Sequence, residues 1–144
     1  MMGSGMEERL IGPDALWSSI NDTDTAKVAK IAASMESSGW SGRPLLVEEG
    51  SYDRLFAWTG SHRIAAAKQV GLRGIPCRVI SRAVSDAALE RLPDAVGFSS
   101  LRDALTMRSN GGGRNDPQRL EGLKRLGLMD AAAALQEEIA ADEW

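Results

Sequence analysis

Apolar positions along this chain keep changing their spacing, and each change marks the edge of an element. Val28, Ile31, Ala32 and Met35 fall at offsets of three, four and seven, which puts them on one face of a helix. Asn21-Asp22-Thr23-Asp24 precedes them as a cluster of turn and cap residues, and Gly39-Trp40-Ser41-Gly42 follows as a stop. Pro44-Leu45-Leu46-Val47-Glu48 then reads as a strand entered through a proline. Glu49 to Asp53 is a polar turn of hairpin length, and Leu55 to Trp58 is the antiparallel return. Upstream, Leu16, Trp17 and Ile20 form a short apolar segment behind Pro13, either a strand or a short helix.

The return strand breaks at Thr59-Gly60 and runs straight into Ser61-His62-Arg63-Ile64-Ala65-Ala66-Ala67, whose composition favours a helix from Ser61 to about Val70. Gly71 and Gly74 stop it, and Ile75-Pro76-Cys77-Arg78-Val79-Ile80 alternates as a strand. Its Pro76 places that end at a sheet edge or among the strand's first residues. Ser85-Asp86 is the expected cap of a helix over Ala87 to Leu92, broken by Pro93. Helix, strand, strand, helix, strand, helix in that order predicts an α+β core, a small mixed sheet backed by helices.

Beyond Pro93 the character changes. Leu101 to Met107 reads as helix, Ser109 to Pro117 as a Gly-rich connector, and Leu120, Leu123 and Leu126 as a helix ended by Gly127. The last helix, with Asp130 as its expected cap, buries Ala131, Leu135 and Ile139 and shows Glu137, Glu138 and Asp142 to water. The triple glycine lacks the preceding strand and the following Lys-Ser/Thr of a phosphate loop, so it is read as a linker. An acidic last helix would be repelled by DNA phosphates, which argues against a DNA-reading pair.

Composition adds mainly exclusions. With 17 basic and 20 acidic residues in 144, a formal charge of −3, there is no global pull toward nucleic acid or an anionic membrane. Cys77 is the only cysteine and His62 the only histidine, so neither a disulfide framework nor a Cys/His metal site is available. No apolar run approaches the roughly 20 residues of a membrane span, and a cytoplasmic setting is expected. Met1 to Met6 reads as a scar or a frayed start.

Candidate chemistry gathers at the Gly60 corner. A strand that turns at a glycine into a helix leaves the first helical N–H groups unpaired and facing the turn, at the positive end of the helix dipole. Ser61, His62 and Arg63 add a hydroxyl, a ring N–H and a guanidinium there, and phosphate is the ligand such a corner suits. Lys27, Lys30 and Ser34 form a polar stripe beside the apolar face of the first helix. They are either its solvated flank or the border of the same site.

Asp24-Thr25-Ala26-Lys27-Val28, Pro44 to Val47, Gly60 to Ala66 and Ile75 to Ile80 together resemble, in order and spacing, the ParB/sulfiredoxin superfamily over about Leu16 to Leu92. Gly60 to Arg63 is similar to the Gly-Cys-His-Arg motif of sulfiredoxin, and Asp24 to Val28 to its Asp-Pro-Ala-Lys-Val. In ParB relatives a Gly-Glu-Arg-Arg corner holds the triphosphate of CTP. The resemblance implies that Thr59, Gly60, Ser61, His62 and Arg63 bind nucleotide phosphates, with Lys27 reaching in and Lys30 and Ser34 flanking the nucleotide. The expected ligand is ATP or ADP before CTP, with Mg²⁺ bridging the phosphates if one is transferred.

The departures are informative. Ser61 stands where sulfiredoxin has its catalytic cysteine, so sulfinic-acid reduction is not expected. The Gln-Pro-Arg segment of ParB is replaced by Asn21-Asp22-Thr23, its motif Glu has no counterpart at Ser61, and no DNA-binding helical domain follows. The expected layout is a tag or disordered stretch over 1–13, a nucleotide-binding domain over 14–95 and a helical extension over 96–144. Phosphoryl transfer would need a general base, for which Glu36, Glu48 and Asp53 are candidates, read by default as solvated surface acids. The alternatives are a non-catalytic module whose C-terminal helices dock a protein, with Trp40, Trp58 and Trp144 as anchors, and a DNA-processing role for which no carboxylate cluster is seen.

Overall fold

The computed structural model describes residues 6–17, 24–40, 42–92, 97–107 and 116–140. The strands are β1 (Met6–Ile11), β2 (Leu16–Trp17), β3 (Leu45–Glu49), β4 (Leu55–Ala57) and β5 (Ile75–Ile80). The helices are α1 (Thr25–Ser38), α2 (Ser61–Val70), α3 (Arg82–Glu90), α4 (Leu101–Met107), α5 (Asp116–Arg125) and α6 (Met129–Ala140). The strands make one mixed sheet in the order β1-β5-β3-β4-β2, antiparallel at β1–β5 and β3–β4, parallel at β5–β3 and β4–β2.

Both faces of this sheet are covered, which explains why β3 is a run of buried residues rather than an alternation. Leu45 and Val47 face α1 and α2, where Val28, Ile31, Ala32, Met35, Ile64, Ala67, Ile75, Cys77 and Val79 complete one core. Leu46, Trp58 and Ile80 face the other way, onto Ala88 of α3, Leu101 and Leu105 of α4, Leu123 of α5 and Leu135 of α6. The C-terminal helices therefore spend their apolar face on the sheet. Trp58 is core, Trp40 is half-buried, and Trp144 lies outside the described residues.

Several expectations change here. Met6 to Ile11, within the stretch 1–13 expected as a tag or disordered, is an edge strand, paired from Met6↔Ile80 to Ile11↔Ile75. With β1 outside it, β5 is an interior strand, so of the two placements expected for Pro76 it takes the one among the strand's first residues, second in β5 and opposite Leu10. Leu16 and Trp17 are strand, while Ile20 and the segment 18–23 lie outside the described residues. The cap of α3 is Ser81, accepting from the Val84 N–H at 3.3 Å, which brings Ser85 inside the helix. Asp130 lies in the first turn of α6 rather than at its cap. Glu138 points inward and accepts the Leu46 N–H at 3.2 Å, whereas Ile139's side chain, Asp142 and the connector 109–115 fall outside what is described. The central helix runs from Ser61 to Val70 and the first from Thr25, as the sequence pattern predicts.

Candidate functional site

The starts of α1 and α2 meet at one corner. Asp24 caps α1, its carboxylate accepting from the N–H groups of Ala26 at 3.0 Å and Lys27 at 3.2 Å. The Asp24 N–H itself donates to Nε2 of His62 at 3.0 Å. A backbone N–H can only donate, so Nε2 is the unprotonated ring nitrogen and the neutral ring carries its proton on Nδ1.

The other helix opens on Gly60, in left-handed backbone at φ 85° and ψ 26°. A Cβ built there would stand 2.6 Å from Leu45 Cδ2, so the left-handed conformation favours glycine and a larger residue would push the end of the Leu45 side chain aside. Glycine supplies no capping side chain, and the first intrahelical bond runs from the Ile64 N–H to the Gly60 carbonyl at 2.8 Å. The amides of Ser61, His62 and Arg63 precede that bond, at the positive end of the helix. Beside them the Thr59 Oγ1 is buried without a hydrogen-bond partner, a costly state that an arriving donor or acceptor relieves.

The other expected site residues are not all gathered here. Lys27 lies half-buried within the first turn of α1, three residues past Asp24. Lys30 and Ser34 are exposed further along α1. At 1.5 Å per residue, Ser34 is about 15 Å down the axis from Asp24.

The Arg63 side chain turns inward. Its Nη2 donates to the Arg43 carbonyl at 2.9 Å, its guanidinium lies 4.2 Å from the Trp40 ring centre, and Nη1 is 4.0 Å from Glu138 Oε1. Burial pulls its pKa down to about 10, opposed by the Glu138 carboxylate. The fork is committed to α6 and the loop before β3, and what Arg63 brings to the corner is its backbone N–H.

Of the candidate bases, Glu48 is not a solvated acid; it is fully buried under α4. Oε1 accepts from Trp58 Nε1 at 3.2 Å and the Arg102 N–H at 2.9 Å, and Oε2 from the Leu101 N–H at 2.6 Å and the Ser85 hydroxyl. Burial raises its pKa above the ordinary 4.5, against the lowering effect of these donors. Glu36 and Asp53 are exposed on α1 and in the hairpin turn, Asp53 lying 4.0 Å from Arg82. Cys77 is buried and its thiol is pushed up to about 12, chiefly by burial, which leaves it inert.

The sequence reading missed the charges of the second face: Glu48 as a hub, Glu138, and buried Arg102 and Arg119, which donate to the carbonyls of Ala57 at 2.8 Å and Trp58 at 2.9 Å. One signal was present, since Glu48 continues the inward alternation of Leu46 on a strand with no solvent face.

The site is thus set in a mixed sheet with α1 and α2 on one face and a glycine-opened helix fed directly by a strand. Residues 11–92 match the model of the ParB N-terminal domain, and the chain belongs to that family. No curated protein matches the sequence. Among solved structures, sulfiredoxin from Arabidopsis thaliana is similar at 21% identity and a TM-score of 0.44, over 51% of this chain and 83% of that one. The C-terminally truncated chromosome-partitioning protein ParB from Caulobacter crescentus, complexed with CTP-gamma-S, is similar at 17% identity and a TM-score of 0.46, over 83% of this chain and 62% of that one. A Pnob8-like ParB-N domain is similar at 15% and 0.40, with 96% of this chain spanning 50% of that one. No helix among the described residues is long and apolar enough to cross a membrane.

Proposed function

We propose that this domain binds a nucleotide by its phosphates at the start of α2 and responds by a change of shape rather than by phosphoryl transfer. The observation that carries the reading is the uncapped helix start at Gly60, with Lys27 held one turn into a second helix that His62 ties to the same corner. Backbone amides and a helix dipole bind a polyphosphate, and the Lys27 ammonium adds charge. The choice of ATP or ADP over CTP rests on the likeness of Lys27 and His62-Arg63 to the sulfiredoxin motifs. Transfer is disfavoured because Glu48 is sealed from solvent, Glu36 and Asp53 are solvated on separate elements, and Ser61 brings no thiol.

A thermal-shift panel of ATP, ADP and CTP, with and without Mg²⁺, tests this. Ligand at about 100 times its Kd stabilises a folded protein by roughly 2.7 kcal/mol, so a rise in Tm of several degrees is expected for at least one nucleotide. Lys27→Ala should remove most of it, with no phosphate released over hours. No shift with any of the three at millimolar concentration overturns the proposal.

A further inference from the structure

We infer that His62 is a positioning residue that acts as a neutral acceptor, so that acid, or a permanent cation at this position, loosens the phosphate corner instead of strengthening it. The inference rests on the reading of the corner as a phosphate site, but the bond that carries it lies between two groups of the chain itself. An imidazole beside a phosphate is ordinarily expected to bind better when protonated. Here Nε2 already accepts the Asp24 N–H at 3.0 Å. Protonation would set a donor against a donor, and the bond between the two helix starts would break.

That bond joins parts with separate duties. Asp24 spends its carboxylate on the amides of Ala26 and Lys27, so its N–H is the group left to reach α2. Lys27 follows in the same turn, so where Asp24 is held sets where the backbone of Lys27 stands. The neutral ring leaves Nδ1–H as its remaining donor. One tautomer thus anchors α1 and keeps a hydrogen for a ligand.

Among the described residues, the charged groups on the surrounding elements are few. The first turns of α1 carry Asp24, Lys27 and Lys30, the turn at Pro13–Ala15 packed on α2 carries Asp14, and Arg63 of α2 faces Trp40 and Glu138. The Asp24 carboxylate is occupied by the α1 amides and forms no described pair with the ring. Protonated His62 therefore gains no carboxylate partner among the described residues in exchange for the bond it loses.

The experiment combines charge variants at position 62 with inorganic tripolyphosphate as probe, after melts establish that each variant folds. Gln places an uncharged acceptor near the Nε2 position, so His62→Gln should retain binding within about threefold, while His62→Arg, despite its extra charge, should weaken it by about tenfold or more. On acidification, binding to the wild type should weaken relative to His62→Gln, which experiences the same probe protonation. Tighter binding by His62→Arg, or wild-type binding that strengthens on acidification relative to His62→Gln, overturns the inference. Without ligand, the Asp24 amide resonance should shift and its solvent exchange depart from the ordinary pH trend toward faster exchange as pH is lowered in the wild type but not in His62→Gln. An Asp24 amide indifferent to pH overturns the clamp even if phosphate binds. A responsive amide in a protein that binds no phosphate leaves the clamp standing and removes the functional reading instead.

Discussion

Two helix starts in this molecule, those of α4 and α2, face the same electrostatic problem and meet it differently. At α4 the first amides, from Leu101 and Arg102, end on the carboxylate of Glu48, a charge supplied by the protein's own β3 and closed from water. At α2 the corresponding residue is Gly60, which has no side chain to offer, and one placed there would push Leu45 aside. The amides of a helix start attract an anion in either place. Where the fold needs rigidity, the anion is built in, and Trp58, Ser85 and α4 are fixed around it. Where it is left out, a neighbouring helix is instead held alongside through His62 and Asp24.

The largest effect should follow from emptying the filled start. Glu48→Ala strands the Trp58, Ser85, Leu101 and Arg102 donors in the interior. At about 1–3 kcal/mol for a buried donor left unsatisfied, it should cost several kcal/mol in a denaturant titration. A loss below about 1 kcal/mol would mean that the carboxylate does not hold α4. Gly60→Ala comes next, at about 1–2 kcal/mol for left-handed backbone with a side chain, plus displacement of Leu45. It should also abolish tripolyphosphate binding, and unchanged binding would move the site away from α2.

Smaller is Glu138→Gln, which keeps an acceptor for the Leu46 N–H but removes the charge beside Arg63. About 1 kcal/mol is expected, and a thermal melt unchanged or raised would show that the ion pair contributes nothing. Smallest is a pH effect. Burial raises the Glu48 pKa above 4.5, so the folded protein keeps this proton where the unfolded chain has lost it. That contribution is complete below pH 4.5 and disappears as pH rises through the folded pKa. The stability difference between wild type and Glu48→Gln should therefore move in favour of the wild type on acidification. The opposite trend in paired pH melts would show that the surrounding donors outweigh burial.

The face that carries the open start was legible in the sequence because its signals are local. Gly60 and Gly71, both left-handed, bracket α2, and Asp24 and Gly39 bracket α1, so composition and caps fixed both helices. The other face depends on contacts across long stretches of chain. Glu48 meets Arg102 and Glu138 meets Leu46, and a charged residue in a helix or late in a strand looks solvated until its distant partner is placed. β1 was hidden for a different reason. As an edge strand bearing Glu7, Glu8, Arg9 and an exposed Leu10, it buries only Ile11, so no alternation announces it. At the site, the glycine corner and Lys27 could be named from motif and spacing. The inward turn of Arg63 and the acceptor role of His62 could not, since Trp40, Arg43, Glu138 and Asp24 lie elsewhere in the chain.

The contrast between the filled and the open helix start is tested most directly by following backbone amides while tripolyphosphate is added. The account predicts that the Ser61, His62, Arg63 and Asp24 amides shift first and saturate together, while those of Leu101 and Arg102, already bound to Glu48, stay still. Shifts centred on Leu101 and Arg102, or on a surface remote from Gly60, would contradict it.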